Sequence, residues 1–128
     1  MSLRAPLARV LSHGSARDGV GHWLTERVTA IALAPLIVWL LLQLLSLPAA
    51  DFRTVTSWIG AGWNPLLLIL TLLLASWHSW LGVQVVIEDY VGGFLSRSAA
   101  LLLNTLLHGL VAAAGVYAVL RVALRSAA

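Results

Sequence analysis

Cysteine is absent from the 128 residues, which removes disulfides, thiolate metal sites, iron–sulfur ligation and cysteine nucleophiles together. Any cofactor must be held by His, Tyr or carboxylate groups. Charge is scarce as well, since only 10% of the residues are charged while 60% are hydrophobic. A soluble domain averages roughly 25% charged and 45–50% apolar, so the composition predicts a chain that resides in lipid and leaves these residues no room for a soluble catalytic domain. Lysine is missing altogether, and the whole basic excess is arginine. In so apolar a chain the arginines are assigned to topology and lipid headgroups. No basic face with interleaved aromatics points to nucleic acid. Internal repeats are also lacking, which leaves an inverted-repeat transporter unsupported.

What is present is a set of long uncharged runs. Each approaches the roughly 20 residues that cross a bilayer core, and the prediction is an all-α integral membrane protein with three transmembrane helices. Residues 28–47 form the first span, closing at Pro48, with Pro35 expected to kink it near Ile31. Residues 48–64 are read as an outer loop. The second span, 65–87, opens with Pro at a helix start, where proline is favoured. An inner loop, 88–97, a third span, 98–122, and a tail, 123–128, complete the chain. Residues 1–27 are read as an N-terminal arm. The apolar run after it is too long for a secretory signal, and Asp18 and Glu26 weaken a mitochondrial presequence. Arg4, Arg9, Arg17 and Arg27 precede the first span and Arg97 lies between the second and third, whereas Arg53, Arg121 and Arg125 fall opposite. The positive-inside rule then places the N-terminus in the cytoplasm and the C-terminus in the periplasm, with Trp58 and Trp63 in the outer aromatic belt.

Ionisable groups inside a span are costly and are by default site hypotheses. Two histidines lie there. His78, about 12 Å from the inner end of its helix, has Gly82 one turn further along the same face. An imidazole can ligate a haem iron, and the missing side chain at Gly82 gives a flat macrocycle room to approach. Composition alone favours the alternative, a neutral His bonded to a neighbouring helix with Gly82 serving close packing. His108 lies about 14 Å into the third span. Geometry permits it as a second iron ligand, and an interhelical hydrogen-bonding pair with Asn104 is the favoured alternative. At the inner end of the second span, Glu88 and Asp89 oppose the helix dipole, so a cation such as Arg27 or Arg97, or a role in proton delivery, is needed to hold them there. Tyr90 by itself reads as an interfacial tyrosine.

The run His78-Ser79-Trp80-Leu81-Gly82-Val83-Gln84-Val85-Val86-Ile87-Glu88-Asp89-Tyr90-Val91 resembles the signature of the cytochrome b-type membrane anchor of succinate dehydrogenase: His, Gly four later, then Asp-Tyr at eleven and twelve. Arg27-Val28-Thr29-Ala30-Ile31 resembles the start of that family's first helix, and the similarity extends over roughly residues 14–122. The resemblance implies a non-catalytic subunit that, with a second cytochrome b-type membrane subunit, seats a flavoprotein subunit and an iron–sulfur subunit on the membrane. It implies His78 as an axial ligand of a shared haem b, Tyr90 as hydrogen-bond donor to ubiquinone and Asp89 as the neighbouring acid. It further implies Arg27 near the haem propionates and, in an approximate alignment, His22 beside it. The expected location is a bacterial inner membrane, with the mitochondrial inner membrane as the alternative. Competing expectations are a cofactor-free scaffold or assembly subunit, a fumarate reductase-type anchor, and a proton-relaying channel subunit, for which the polar residues are too scattered.

Overall fold

The computed structural model describes residues 15–126, with side chains described for residues 20–125. Helices α1 (Ser15–Ser46), α2 (Phe52–Gly60), α3 (Asn64–Tyr90) and α4 (Phe94–Ser126) account for nearly all of them, and no strand occurs among the described residues. Three helices are long and apolar enough to cross a membrane: Val20–Ser46, Asn64–Tyr90 and Phe94–Arg125, with mean hydropathies of 2.4, 1.8 and 1.8. The fold is therefore all-helical with three apolar spans, as the uncharged runs required. α1 continues through Pro35. At 1.5 Å per residue the 32 residues of α1 and the 33 of α4 extend about 48–50 Å, well past a hydrocarbon core of ~30 Å. Residues 15–27 of the arm are accordingly the first turns of α1.

α2, within the segment between the first two spans, is amphipathic. Asp51 caps it: its Oδ1 accepts from the Thr54 backbone N–H at 3.0 Å and its Oδ2 from the Thr54 hydroxyl at 2.6 Å. The bond from the Thr54 hydroxyl, with the backbone bond behind it, holds the Asp51 carboxyl below its ordinary pKa. Trp58 of α2 stacks on Trp39 of α1, centroids 6.2 Å apart, and its indole N–H donates to Gln43 Oε1 at 3.0 Å. Gly62 takes a left-handed conformation (φ 53°) in the turn into α3, a region that L side chains rarely enter.

The helices stand in a row. α3 is central, with α1 on one side and α4 on the other, while α2 packs against α4 and α3; α1 and α4 do not pack together among the described residues. A row has little interior. Leu81 and Val119 are the buried apolar side chains and Thr29, Thr71 and Asn104 the buried polar ones. Lipid supplies no hydrophobic drive between helices, so close packing and hydrogen bonds have to hold the seams. The α3–α4 seam shows both. A Cβ at Gly115 would lie 3.1 Å from Leu72 Cδ1, so the helices approach closely there. Asn104 Nδ2 donates to the Trp80 carbonyl at 3.1 Å, and Trp80 Nε1 donates to Thr105 Oγ1 at 3.1 Å.

Candidate functional site

The seam between α1 and α3 is built from a helical stripe on α1. His22, Thr25, Thr29, Ala32, Leu36, Trp39 and Gln43 recur at alternating three- and four-residue spacings and are buried or half-buried, the pattern of a face turned toward partner helices. Thr29 is 2% exposed. Its hydroxyl lies 2.9 Å from the Thr25 carbonyl, 3.0 Å from the Glu26 carbonyl and 2.9 Å from His78 Nδ1. His78 is half-buried, and its Nε2 has no hydrogen bond among the described residues. One turn on, a Cβ at Gly82 would meet no heavy atom within 4 Å, so the face beyond His78 is open.

His108 sits on the other side of α3. Its Nδ1–H donates to the Asn104 carbonyl at 2.9 Å, and its Nε2 lies 3.1 Å from Ser79 Oγ, accepting the hydroxyl proton. Ser79 neighbours His78 in sequence, so the two imidazoles share a depth, as their spacing in the sequence suggested. They do not share a face. His78 is directed at α1, while His108 is fastened between α3 and α4 with both nitrogens engaged. Among the described residues no group of three or more His, Cys, Asp or Glu side chains is placed to hold a metal ion, so a ring-bound metal would need a ligand from outside them.

Asp89 and Tyr90 form the last turn of α3, which ends where the Val91 N–H bonds the Ile87 carbonyl at 3.0 Å. At 100° per residue, Asp89 falls about 20° from the direction of His78 and Tyr90 about 120°. The two lie roughly 17–18 Å along the axis from His78. Tyr90 is 84% exposed, and neither it nor Asp89 has a hydrogen-bond partner among the described residues. Glu88 is held apart from them by Gln84, whose amide donates to Glu88 Oε1 at 2.8 Å. The turn into α4 needs Gly93 at φ 82°. Arg97 Nε then reaches back to the Val91 carbonyl at 3.1 Å. A cation thus stands at the C-terminus of α3, where helix dipole and carboxylates both favour it. Arg27, the other candidate cation, lies over the Trp23 ring at 5.4 Å to the centroid. His22 lies two turns from Thr29 on the same stripe, its Nε2 buried and without a hydrogen bond among the described residues.

The arrangement is a free imidazole nitrogen at mid-span on an open helix face, and an exposed phenol and carboxylate at one end of the same helix. The family of succinate dehydrogenase/fumarate reductase transmembrane subunits matches residues 1–120. The chain belongs to this family. This transmembrane subunit is 33% identical over 101 residues to the succinate dehydrogenase hydrophobic membrane anchor subunit of Rickettsia conorii, covering 78% of this chain and 80% of that one. It is 35% identical over 88 residues to the protein of the same description from Rickettsia bellii, covering 69% and 70%. To the succinate dehydrogenase membrane anchor subunit of Reclinomonas americana it is 31% identical over 90 residues, covering 68% and 75%. No solved structure matches the subunit significantly.

Thr29 is the site residue that sequence reasoning did not single out. A hydroxyl in the first turn of an uncharged run was a visible signal, but its partner is 49 residues away.

Proposed function

We propose that this chain is the membrane anchor subunit of a succinate:quinone oxidoreductase, that His78 is an axial ligand of a haem b shared with a second membrane subunit, and that Tyr90 and Asp89 belong to the ubiquinone-reduction site. The observation that carries the reading is the free Nε2 of His78 at mid-span, where the other mid-span histidine, His108 on α4, has both nitrogens bonded. A polar nitrogen left open at mid-membrane is costly unless something occupies it. The donor set fits a haem: a neutral imidazole on a helix face, with unfilled space at Gly82 one turn away for the macrocycle edge. When bound, such a haem supplies a one-electron couple whose potential depends on its axial pair and its burial. His78 Nε2 would hold the iron, Thr29 and the α1–α3 seam would orient the ring, and Arg27 and His22 lie toward the end where propionates would need partners.

At the quinone end the residues act on protons. Reducing ubiquinone takes two electrons and two protons, so the site needs a donor aimed at the carbonyl oxygen and a route from water. The Tyr90 hydroxyl donates to that oxygen as charge develops on it. Asp89, exposed on the side facing His78, passes protons in, while Arg97 holds the helix terminus through its bond to the Val91 carbonyl. Succinate oxidation itself belongs to the flavoprotein and iron–sulfur subunits that this anchor seats. The residence proposed is the inner membrane of a bacterium, N-terminus in the cytoplasm, which puts Tyr90 at the inner surface where electrons arrive from iron–sulfur centres.

The test is the visible spectrum of the complex purified through its flavoprotein. A b-type haem band present with the native chain and lost in His78→Ala is expected; a band unchanged by the substitution refutes the ligand assignment.

A further inference from the structure

The assignment of His78 as iron ligand is the reading on which this inference rests. Thr29 is almost completely buried, 2% exposed, where α1 meets α3. A hydroxyl has one proton to give and two lone pairs to accept with. That proton faces the Thr25 and Glu26 carbonyls at 2.9 and 3.0 Å, the usual back-bonding of a threonine within a helix. What remains toward His78 Nδ1, 2.9 Å away, is a lone pair. The contact is then a hydrogen bond when Nδ1 carries the ring proton. A neutral imidazole has only one such proton, so Nε2 is left as the bare nitrogen and points away from α1. We infer that Thr29 is the positioning residue of the metal ligand: it selects the Nδ1–H tautomer of His78, fixes the rotation of the ring and, as acceptor, makes Nε2 the more basic donor. His108 supplies the contrast. Its Nδ1–H is taken by a carbonyl as well, but its Nε2 is consumed by Ser79.

An acceptor on the far nitrogen of a ligating imidazole raises its basicity, which favours the ferric state and lowers the potential of the iron. The test is a potentiometric titration of the haem in the assembled complex, comparing the native chain with Thr29→Ser, Thr29→Ala and Thr29→Val. Alanine is the best helix former and removes a back-bond that slightly destabilises helices, so α1 tolerates it. Partners of this kind are worth about 10–100-fold in metal affinity, and a loss at the low end of that range, borne by the ferric state that the more basic nitrogen favours, sets the scale. The ferric-to-ferrous ratio at a fixed ambient potential is therefore expected to fall about tenfold in the Ala and Val variants, a rise in midpoint of about 59 mV for a one-electron couple. The Ser variant should stay near the native value. A native potential in either hydroxyl-free variant overturns the inference. So does failure of both to assemble where Ser assembles, since that marks a purely structural threonine. A native complex without b-type haem, or a His78→Ala complex that keeps its haem spectrum, removes the ligand assignment and this inference with it. A haem that depends on His78 but ignores Thr29 removes only the inference.

Discussion

Replacing Tyr90 by phenylalanine deletes one hydroxyl and leaves the ring. The side chain is 84% exposed and its hydroxyl has no partner among the described residues, so the fold should register the change within about 0.5 kcal/mol, as surface substitutions do. The cost falls on the reaction. If the phenol merely bound the quinone carbonyl, its loss would be that of an ordinary hydrogen bond, about 0.5–1.5 kcal/mol, and would appear as a higher KM. In the proposed role it meets an oxygen that gains electron density as electrons arrive. Removing a donor from developing oxyanion charge costs about 2.7 kcal/mol or more, which at 1.36 kcal/mol per decade is about a hundredfold in kcat. The assay is succinate:ubiquinone reductase turnover by the purified complex, with succinate oxidation by an artificial acceptor as the control for the soluble subunits and the haem spectrum as the control for assembly. Both controls should hold while quinone turnover falls. An assembled Tyr90→Phe complex that reduces quinone within threefold of the native rate would refute the reasoning.

Three further outcomes are expected. Gly82→Leu places a side chain in space that is open within this subunit, so helix content and assembly should persist while haem is lost on purification; full haem occupancy would remove the macrocycle from that face. His108→Leu breaks a bond to the Asn104 carbonyl within α4 and the bond to Ser79 of α3; an interhelical bond in membranes averages about 0.6 kcal/mol, so thermal stability in detergent should drop by about that order, with the haem band unchanged. Gly115→Val drives a branched side chain against Leu72, whose Cδ1 would lie 3.1 Å from the new Cβ. Overpacking of this kind costs about 1–3 kcal/mol, which a lowered midpoint of thermal aggregation of the complex should report.

The spans were legible because an uncharged run long enough to cross a bilayer has few other uses, while the helices that carry them extend beyond the uncharged runs, α1 starting at Ser15 and α4 running from Phe94 to Ser126. α2 was not legible. Its nine residues are amphipathic but make only about two and a half turns, too short a stretch to stand out from a loop, and the Asp51 cap on Thr54 shows itself as a cap only once the helix is there. His78 and Tyr90 could be placed on one helix from their spacing, as could the matched depth of His108. Spacing did not reveal that α3 turns His78 to one neighbour and Ser79 to the other. That division depends on which helix packs on which side, a long-range property. For the same reason the partner of Thr29 had to come from the fold.

The two seams of the row differ in how firmly they are fastened. α4 is tied to α3 by the side chains of Asn104, Trp80 and His108 together with the tight fit at Gly115, whereas a single side-chain hydrogen bond, Thr29 to His78, joins α1 to α3 among the described residues. The molecule therefore behaves as a stiff hairpin with one compliant leaf. α1 is clipped at its far end by Trp39 and Gln43 on Trp58 of α2, so that leaf can yield only at the His78 end, where, on the proposed function, a broad planar guest would be received without loosening the hairpin that carries Tyr90.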